Sequence, residues 1–214
     1  MVIDSTKAAR MRRQPRQARS QERVNQILNV AEQMFVADGY NATTTNAIAA
    51  QAKVSIGSLY QFFPDKGAIV QALAKRYAEQ LHQRFVELDR TDLVNLPLSS
   101  YVNQIVDVTD RFFTDYPGYY AIFMQVQGTI PELAEIENAA DARFIEDLAS
   151  VLAQYDPELE TADYEAIAFV MVKLIGTMLW LSLGQEDSFR QRLVAETKRF
   201  TLNYLSSYFP LDRM

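Results

Sequence analysis

The sequence predicts an all-α protein of about nine helices. Three observations carry that reading. Apolar residues recur every three to four positions through most of the chain, as in Val24, Ile27, Leu28, Ala31, Met34 and Phe35. No stretch shows the sustained β-branched alternation of a strand. Proline and glycine fall where helices would end or begin: Gly39, Pro97, Pro117-Gly118, Pro131, Pro157 and Gly184.

Helix one is expected over about Ser20 to Asp38, with the six apolar residues just named on its inner face and Gly39 stopping it. Thr44 or Thr45 opens a second, short helix whose Ile48, Ala49, Ala52 and Val54 bury one side. Ser55 is placed to cap a third, Ile56 to Phe63, with Leu59, Phe62 and Phe63 turned inward. Helices this short bury too little surface alone and must lean on a scaffold. A fourth helix opens near Asp65 and runs to Asp89, and Leu96-Pro97 begins a fifth that reaches about Tyr116. Pro117-Gly118 separates that from a short sixth ending near Gly128. Pro131 starts a seventh to about Tyr155, Thr161 an eighth to Leu183, and Asp187 or Ser188 a ninth to about Tyr208.

The two short helices with a tight turn between them read as a helix-turn-helix. Burying the apolar side leaves Ser55, Ile56, Gly57, Ser58, Tyr60 and Gln61 facing outward, a small, polar and aromatic face that suits the floor of a DNA major groove. Gln61 can pair bidentately with adenine and Ile56 can touch a thymine methyl; Ser55 and Ser58 complete the candidates for base edges. Gly57 costs about 1 kcal/mol of helix propensity, tolerable if its missing side chain lets the helix come close to DNA.

Charge agrees with that placement. The chain carries −6 overall, yet residues 1–66 hold nine Lys/Arg against five Asp/Glu, whereas residues 67–214 hold twelve against twenty-two. A basic head on an acidic body directs DNA to one end. Residues 1–18 form a basic arm with no core face, expected to be disordered when free, in which Arg12, Arg13 and Arg16 would lie along phosphates or enter the minor groove. A merely solubilising tail is the alternative.

The run A-T-T-T-x-x-I-A-x-x-A-x-V-S-x-G-S-L-Y-x-F-F-P-x-K at residues 42–66, preceded by Phe35-x-x-x-Gly39-Tyr40, resembles the N-terminal domain of TetR-type (tetracycline-repressor-like) transcriptional regulators. The resemblance covers about Arg19 to Val70; beyond that it is architectural. It implies a helix-turn-helix domain over 19–66 and an effector-binding and dimerisation domain over 67–214. It also implies that Thr44, Thr45, Tyr60 and Lys66 position the head on the phosphates of a palindromic double-stranded operator. Two positions depart from the pattern. Lys53 stands at a turn position where glycine is common, where a positive φ would cost on the order of 1 kcal/mol. Phe62 replaces a histidine that in many members could meet a phosphate.

In the eighth helix, Ala166 to Leu183 is apolar nearly all round, which invites a membrane span. Lys173 near its middle opposes that, and the alternative is a helix buried on one side by its own chain and on the other by a second copy. Leu174 and Met178, with Phe189, Leu193, Phe200 and Tyr204 of helix nine, are then the homodimer interface, as the resemblance implies for the last two helices. Phe112, Tyr116, Tyr120, Met124 and Trp180 belong to an aromatic-rich set in the middle of the chain. By resemblance an effector pocket lies there, and a small apolar or aromatic molecule is the expected occupant. Taken singly, each of these side chains reads more readily as core; it is their number together that points to a pocket.

No catalytic constellation, metal site or cofactor is expected. Cysteine is absent and His82 is the only histidine. The carboxylates Glu132, Glu135, Glu137, Asp141, Glu146 and Asp147 read as solvated helix faces, and the glycines form no phosphate loop. Without an apolar N-terminal run, a cytoplasmic location is expected. The overall expectation is a ligand-responsive DNA-binding regulator, with repression as the family default. The alternative is a helical small-molecule-binding or membrane-associated protein without operator-specific binding.

Overall fold

A computed structural model describes residues 6–89, 96–126, 128–155 and 158–209. The described residues are all-α, with helices α1 (Thr6–Asp38), α2 (Thr45–Gln51), α3 (Ile56–Phe62), α4 (Lys66–Asp89), α5 (Leu98–Asp115), α6 (Pro117–Val126), α7 (Glu132–Tyr155), α8 (Thr161–Ser182) and α9 (Asp187–Ser206). Most ends fall within two residues of their expected places, because each is marked by a cap, a proline or a glycine. The start of α1 is the exception. It lies at Thr6 rather than near Ser20, so the expected disordered arm continues the helix from residue 6. Ala8, Ala9, Met11 and the neighbouring arginines and glutamines are strong helix formers, and the helix continues through Pro15, which has no N–H to donate to Met11. The side chains of Arg12, Arg13 and Arg16 lie outside the described residues.

The chain divides into two compact units: Met1–Leu73 with Ala121–Gln127, and Ala74–Tyr120 with Gly128–Met214. The expected boundary after Lys66 thus moves into α4. The reason is packing: Ile69, Val70 and Leu73 on the first turns of α4 are fully buried and belong to the first unit.

In that first unit, Ile27, Leu28, Ala31 and Phe35 of α1 form a core with Ile48, Ala49, Ala52, Leu59 and Phe63. Ile122, Phe123 and Val126 of α6 are buried in the same unit. Phe62, expected inside, is only half-buried, because α3 ends there and Phe63 takes the inward position as its C-cap. In the second unit, α8 packs between α7 and α9, and α5 lies against both α8 and α9. Two ion pairs tie α5 to α9, Asp110–Arg190 at 2.5 Å and Asp107–Lys198 at 2.6 Å. Burial raises the Asp110 carboxyl above its ordinary range and Arg190 opposes that shift, as in a half-desolvated pair.

α8 is long and apolar enough to cross a membrane, by length and composition. Within the second unit it buries one face, formed by Tyr164, Ile167, Ala168, Met171, Ile175 and Leu179. Phe169, Val170 and Leu181 remain exposed. Lys173 is paired with Asp141 of α7, which accounts for a charge in mid-helix.

Gly39 ends α1 at φ +86°, a left-handed conformation that costs a side-chain-bearing residue, and a Cβ there would lie 3.1 Å from Gln125 Oε1. Gly39→Ala should therefore lower the stability of the first unit by about 1–2 kcal/mol, read as an earlier midpoint in urea with an unchanged slope.

Candidate nucleic-acid interface

The helix-turn-helix is built from local hydrogen bonds that the sequence specifies. Thr44 caps α2, its hydroxyl accepting from Ala47 N–H at 3.2 Å, and Ser55 caps α3 by accepting from Ser58 N–H at 3.1 Å. Between them Lys53 adopts φ +53°, the left-handed turn expected of this position. With Ala52, Leu59 and Phe63 buried, α3 is anchored by one side only. Its other side carries Ser55, Ile56, Gly57, Tyr60 and Gln61, all exposed, with Ser58 half-buried at the margin. A Cβ built on Gly57 meets nothing within 4 Å.

Flanking this face, Thr45 Oγ1 and Tyr60 Oη lie 3.1 Å apart, so two groups expected on phosphates share one hydrogen bond across α2 and α3. Arg23 of α1 donates to Ser58 Oγ at 3.4 Å, bringing a guanidinium to the edge of the same surface. Phe62, half-buried, offers no hydrogen-bond donor where a histidine would.

Lys66 is engaged more deeply than expected. Its ammonium donates to the carbonyl oxygens of Tyr40 at 2.5 Å and Thr43 at 2.8 Å, and it stands 4.1 Å from the centre of the Tyr40 ring. Burial draws its pKa below the ordinary lysine range. Of the three N–H donors of an ammonium, two are spent on the α1–α2 turn, leaving one for a phosphate. Gln125 completes the turn: its Oε1 accepts from Tyr40 N–H at 2.7 Å. Sequence reasoning missed Gln125, since a single glutamine on an apolar helix gives no signal of a partner 85 positions away.

The remaining predicted residues fall in three groups. Phe112, Tyr116, Tyr120 and Trp180 share one ring cluster in the second unit, with Phe112 4.9 Å from Tyr116 and Tyr120 4.9 Å from Trp180 between ring centres. Met124, expected with them, belongs to the first unit and is 45% exposed. Phe189 and Phe200 are exposed on α9, and Leu174, Met178, Leu193 and Tyr204 are half-buried.

Lys66→Met, which keeps the stem but removes the donors, should cost the first unit about 1–2 kcal/mol through the two orphaned carbonyls. Faster amide exchange around Tyr40–Thr43 and a uniform loss of affinity for all duplexes are the expected readouts.

Comparison with known proteins places this geometry. Residues 27–73 match the family model "Bacterial regulatory proteins, tetR family", and residues 97–205 match "Tetracyclin repressor-like, C-terminal domain". The chain is 30% identical over 196 residues to the HTH-type transcriptional activator FasR of Mycolicibacterium smegmatis, covering 90% of this chain and 86% of that protein. It is 24% identical over 119 residues to the HTH-type transcriptional regulator YuxN of Bacillus subtilis, covering 56% of this chain but only 40% of YuxN. The crystal structure of a TetR-family transcriptional regulator from Streptomyces coelicolor superposes with a TM-score of 0.62 at 23% identity, covering 86% of this chain and 98% of that one. A helix-turn-helix head with an outward-facing α3, and family models that match both parts of the chain, make this protein a member of the TetR family of DNA-binding transcriptional regulators.

Proposed function

We propose that the protein binds a palindromic operator as a homodimer, with the α3 helix of each copy in one of two successive major grooves, and that a small apolar or aromatic effector releases it. The observation that carries the DNA half is Gly57. Nothing within the protein crowds its missing side chain and its backbone is ordinary helix, so the fold itself gives no reason for a glycine that weakens α3. Close approach of a DNA backbone or base edge supplies one. On this reading Ser55, Ile56, Ser58 and Gln61 meet base edges. Thr44, Thr45, Tyr60 and the remaining donor of Lys66 meet phosphates, with Phe62 beside them and the basic residues of α1, Arg12, Arg13 and Arg16 among them, adding sequence-independent attraction.

Dimerisation accounts for the apolar surface left by the single chain. Phe169, Val170 and Leu181 of α8, with Phe189, Phe200 and Tyr208 of α9, are all exposed. A second copy that covers them also covers Leu174, Met178, Leu193 and Tyr204 beside them. It explains the apolar outer face of α8 without a lipid phase, in keeping with a cytoplasmic location.

The effector half rests on the ring cluster of Phe112, Tyr116, Tyr120 and Trp180 within the second unit. Since these rings already touch one another, an effector there has to part them. Its effect on DNA is set by its difference in affinity between a dimer whose two heads match successive major grooves and one whose heads do not. Repression is the expected sign. FasR carries the name of an activator, and the same head serves either role, because the sign follows from where the operator lies relative to the promoter.

Gly57→Ala separates the roles cleanly: it should raise helix stability by about 1 kcal/mol while weakening operator binding. Selecting bound duplexes from a random pool supplies the operator for that measurement. Gln61→Ala should relax discrimination at one or two positions by about 1–3 kcal/mol and leave the others unchanged. Equal weakening on every sequence would remove Gln61 from the bases.

Phe200→Asp addresses assembly. The side chain is 55% exposed in the single chain, so the substitution should leave the fold intact and convert the dimer to monomer by sedimentation. A dimer of unchanged affinity would place the interface elsewhere.

A further inference from the structure

In the first unit, Ser58 is the half-buried residue at the margin of the outward face of α3. A serine hydroxyl both donates and accepts, so by itself it pairs with any base edge and contributes little selection. Ser58 has a partner that removes this freedom. Its Oγ accepts from the Arg23 guanidinium of α1 at 3.4 Å, a contact between residues 35 positions apart. Among the described residues its hydroxyl hydrogen is given to no acceptor, and its backbone N–H is spent on Ser55 Oγ at 3.1 Å. What remains on the outward side is one O–H donor.

Arg23 acts on that hydroxyl through its charge as well as its hydrogen bond. The guanidinium takes a lone pair and repels the hydroxyl hydrogen, which therefore turns away from it. Arg23 is itself exposed, carries donors only, and forms no ion pair among the described residues. A base amino group approaching Ser58 would meet that positive charge. The patch formed by Arg23 and Ser58 thus presents donors alone. Base edges answer it differently in the major groove. Guanine shows two acceptors, N7 and O6, and no donor, while thymine shows one acceptor beside a methyl. Adenine sets an amino donor beside its acceptor, and cytosine offers an amino donor only.

We propose that Arg23 is a positioning residue that fixes Ser58 as a hydrogen-bond donor, so that each copy of α3 selects guanine and rejects cytosine at the base Ser58 faces. This rests on the operator reading above and extends it from which residues meet bases to which base one of them takes. Gln61, three residues further along α3, keeps both the donor and the acceptor of its amide and can still pair with adenine. The two positions then read different bases, one because its chemistry is fixed by a neighbour and the other because its own amide carries both halves of the code.

The test selects bound duplexes from a random pool with the full-length protein, unaltered and as Arg23→Met, Ser58→Ala and the double variant. In the unaltered selection one position of each half-site should favour guanine over cytosine by about tenfold, and Ser58→Ala should identify that position by erasing the preference. Arg23→Met should lower the same preference by about fivefold and leave the preferences at other positions unchanged. In the Ser58→Ala background, Arg23→Met should alter no base preference, since the two act as one unit. A second measurement needs no variant and so does not depend on how a substitution folds. In the selected operator, 7-deazaguanine removes the N7 acceptor and 6-thioguanine weakens the O6 acceptor. At least one of the two should weaken binding of the unaltered protein by about threefold or more. Equal weakening of every sequence by Arg23→Met would make Arg23 a phosphate contact and overturn the proposal. A cytosine preference at the Ser58 position, or indifference to both guanine analogues, would overturn it as well. Those outcomes leave the operator reading standing, whereas a pool that yields no preferred sequence would remove both.

Discussion

The head depends on how the backbone polar groups of the turn between α1 and α2 are satisfied. A helix that ends abruptly leaves carbonyls and amides without helical partners, and such groups are costly if they are buried unpaired. Here four of them find specific side chains. Tyr40 N–H goes to Gln125, the Tyr40 and Thr43 carbonyls to Lys66, and the Gly39 carbonyl to Thr43 Oγ1 at 2.8 Å. Residues from three separate stretches thus converge on one turn, and α2 and α3 follow directly from it. Thr44, the N-cap of α2, is the next residue after this knot. The presentation of α3 to DNA is set by hydrogen bonds that themselves contact no nucleic acid.

Seen this way, the division of labour at Lys66 is physical rather than ambiguous. A lysine with all donors free would be a pure phosphate contact and would carry no structural role. One with two donors committed to backbone carbonyls is held in place before DNA arrives, and it surrenders little side-chain entropy on binding. Its positive charge still projects a field at the start of α4. On the proposed reading preorganisation and charge reside in the same group, so removing it should affect fold and affinity together.

Much of this was legible in the sequence. Caps at Thr44 and Ser55, the stop at Gly39, the positive φ of Lys53 and the outward set on α3 all follow from local rules that act within a few residues. What stayed hidden was non-local. Nothing about Gln125 marks it as the partner of Tyr40, and nothing about His82 marks Asp147, because each pair joins helices whose register is fixed only once the core packs. The start of α1 was missed for a different reason: residues 6–19 have helical propensity but no apolar face, and periodicity detects only the latter. The aromatic cluster shows a third limit. Composition located the rings correctly, yet whether rings enclose space or fill it depends on packing that no spacing rule encodes.

The helix-turn-helix also concentrates local penalties. Lys53 pays for a left-handed backbone and Gly57 for a helix position without a side chain, each on the order of 1 kcal/mol, within five residues of one another. Other local costs lie inside helices, at Pro15 in α1 and at Gly176 in α8, and among the described residues the only other positive φ values belong to glycines. What sets the pair at Lys53 and Gly57 apart is their place on the outward face of the helix-turn-helix. For Gly57 the proposed partner that makes use of the missing side chain is the duplex. Lys53 differs: its side chain is exposed beside a turn that glycine would fill more easily, and on the proposed reading its charge would offset the strain through attraction to phosphate. On that reading the two positions would serve opposite ends, one removing bulk so that the helix can approach and the other keeping charge at the cost of geometry.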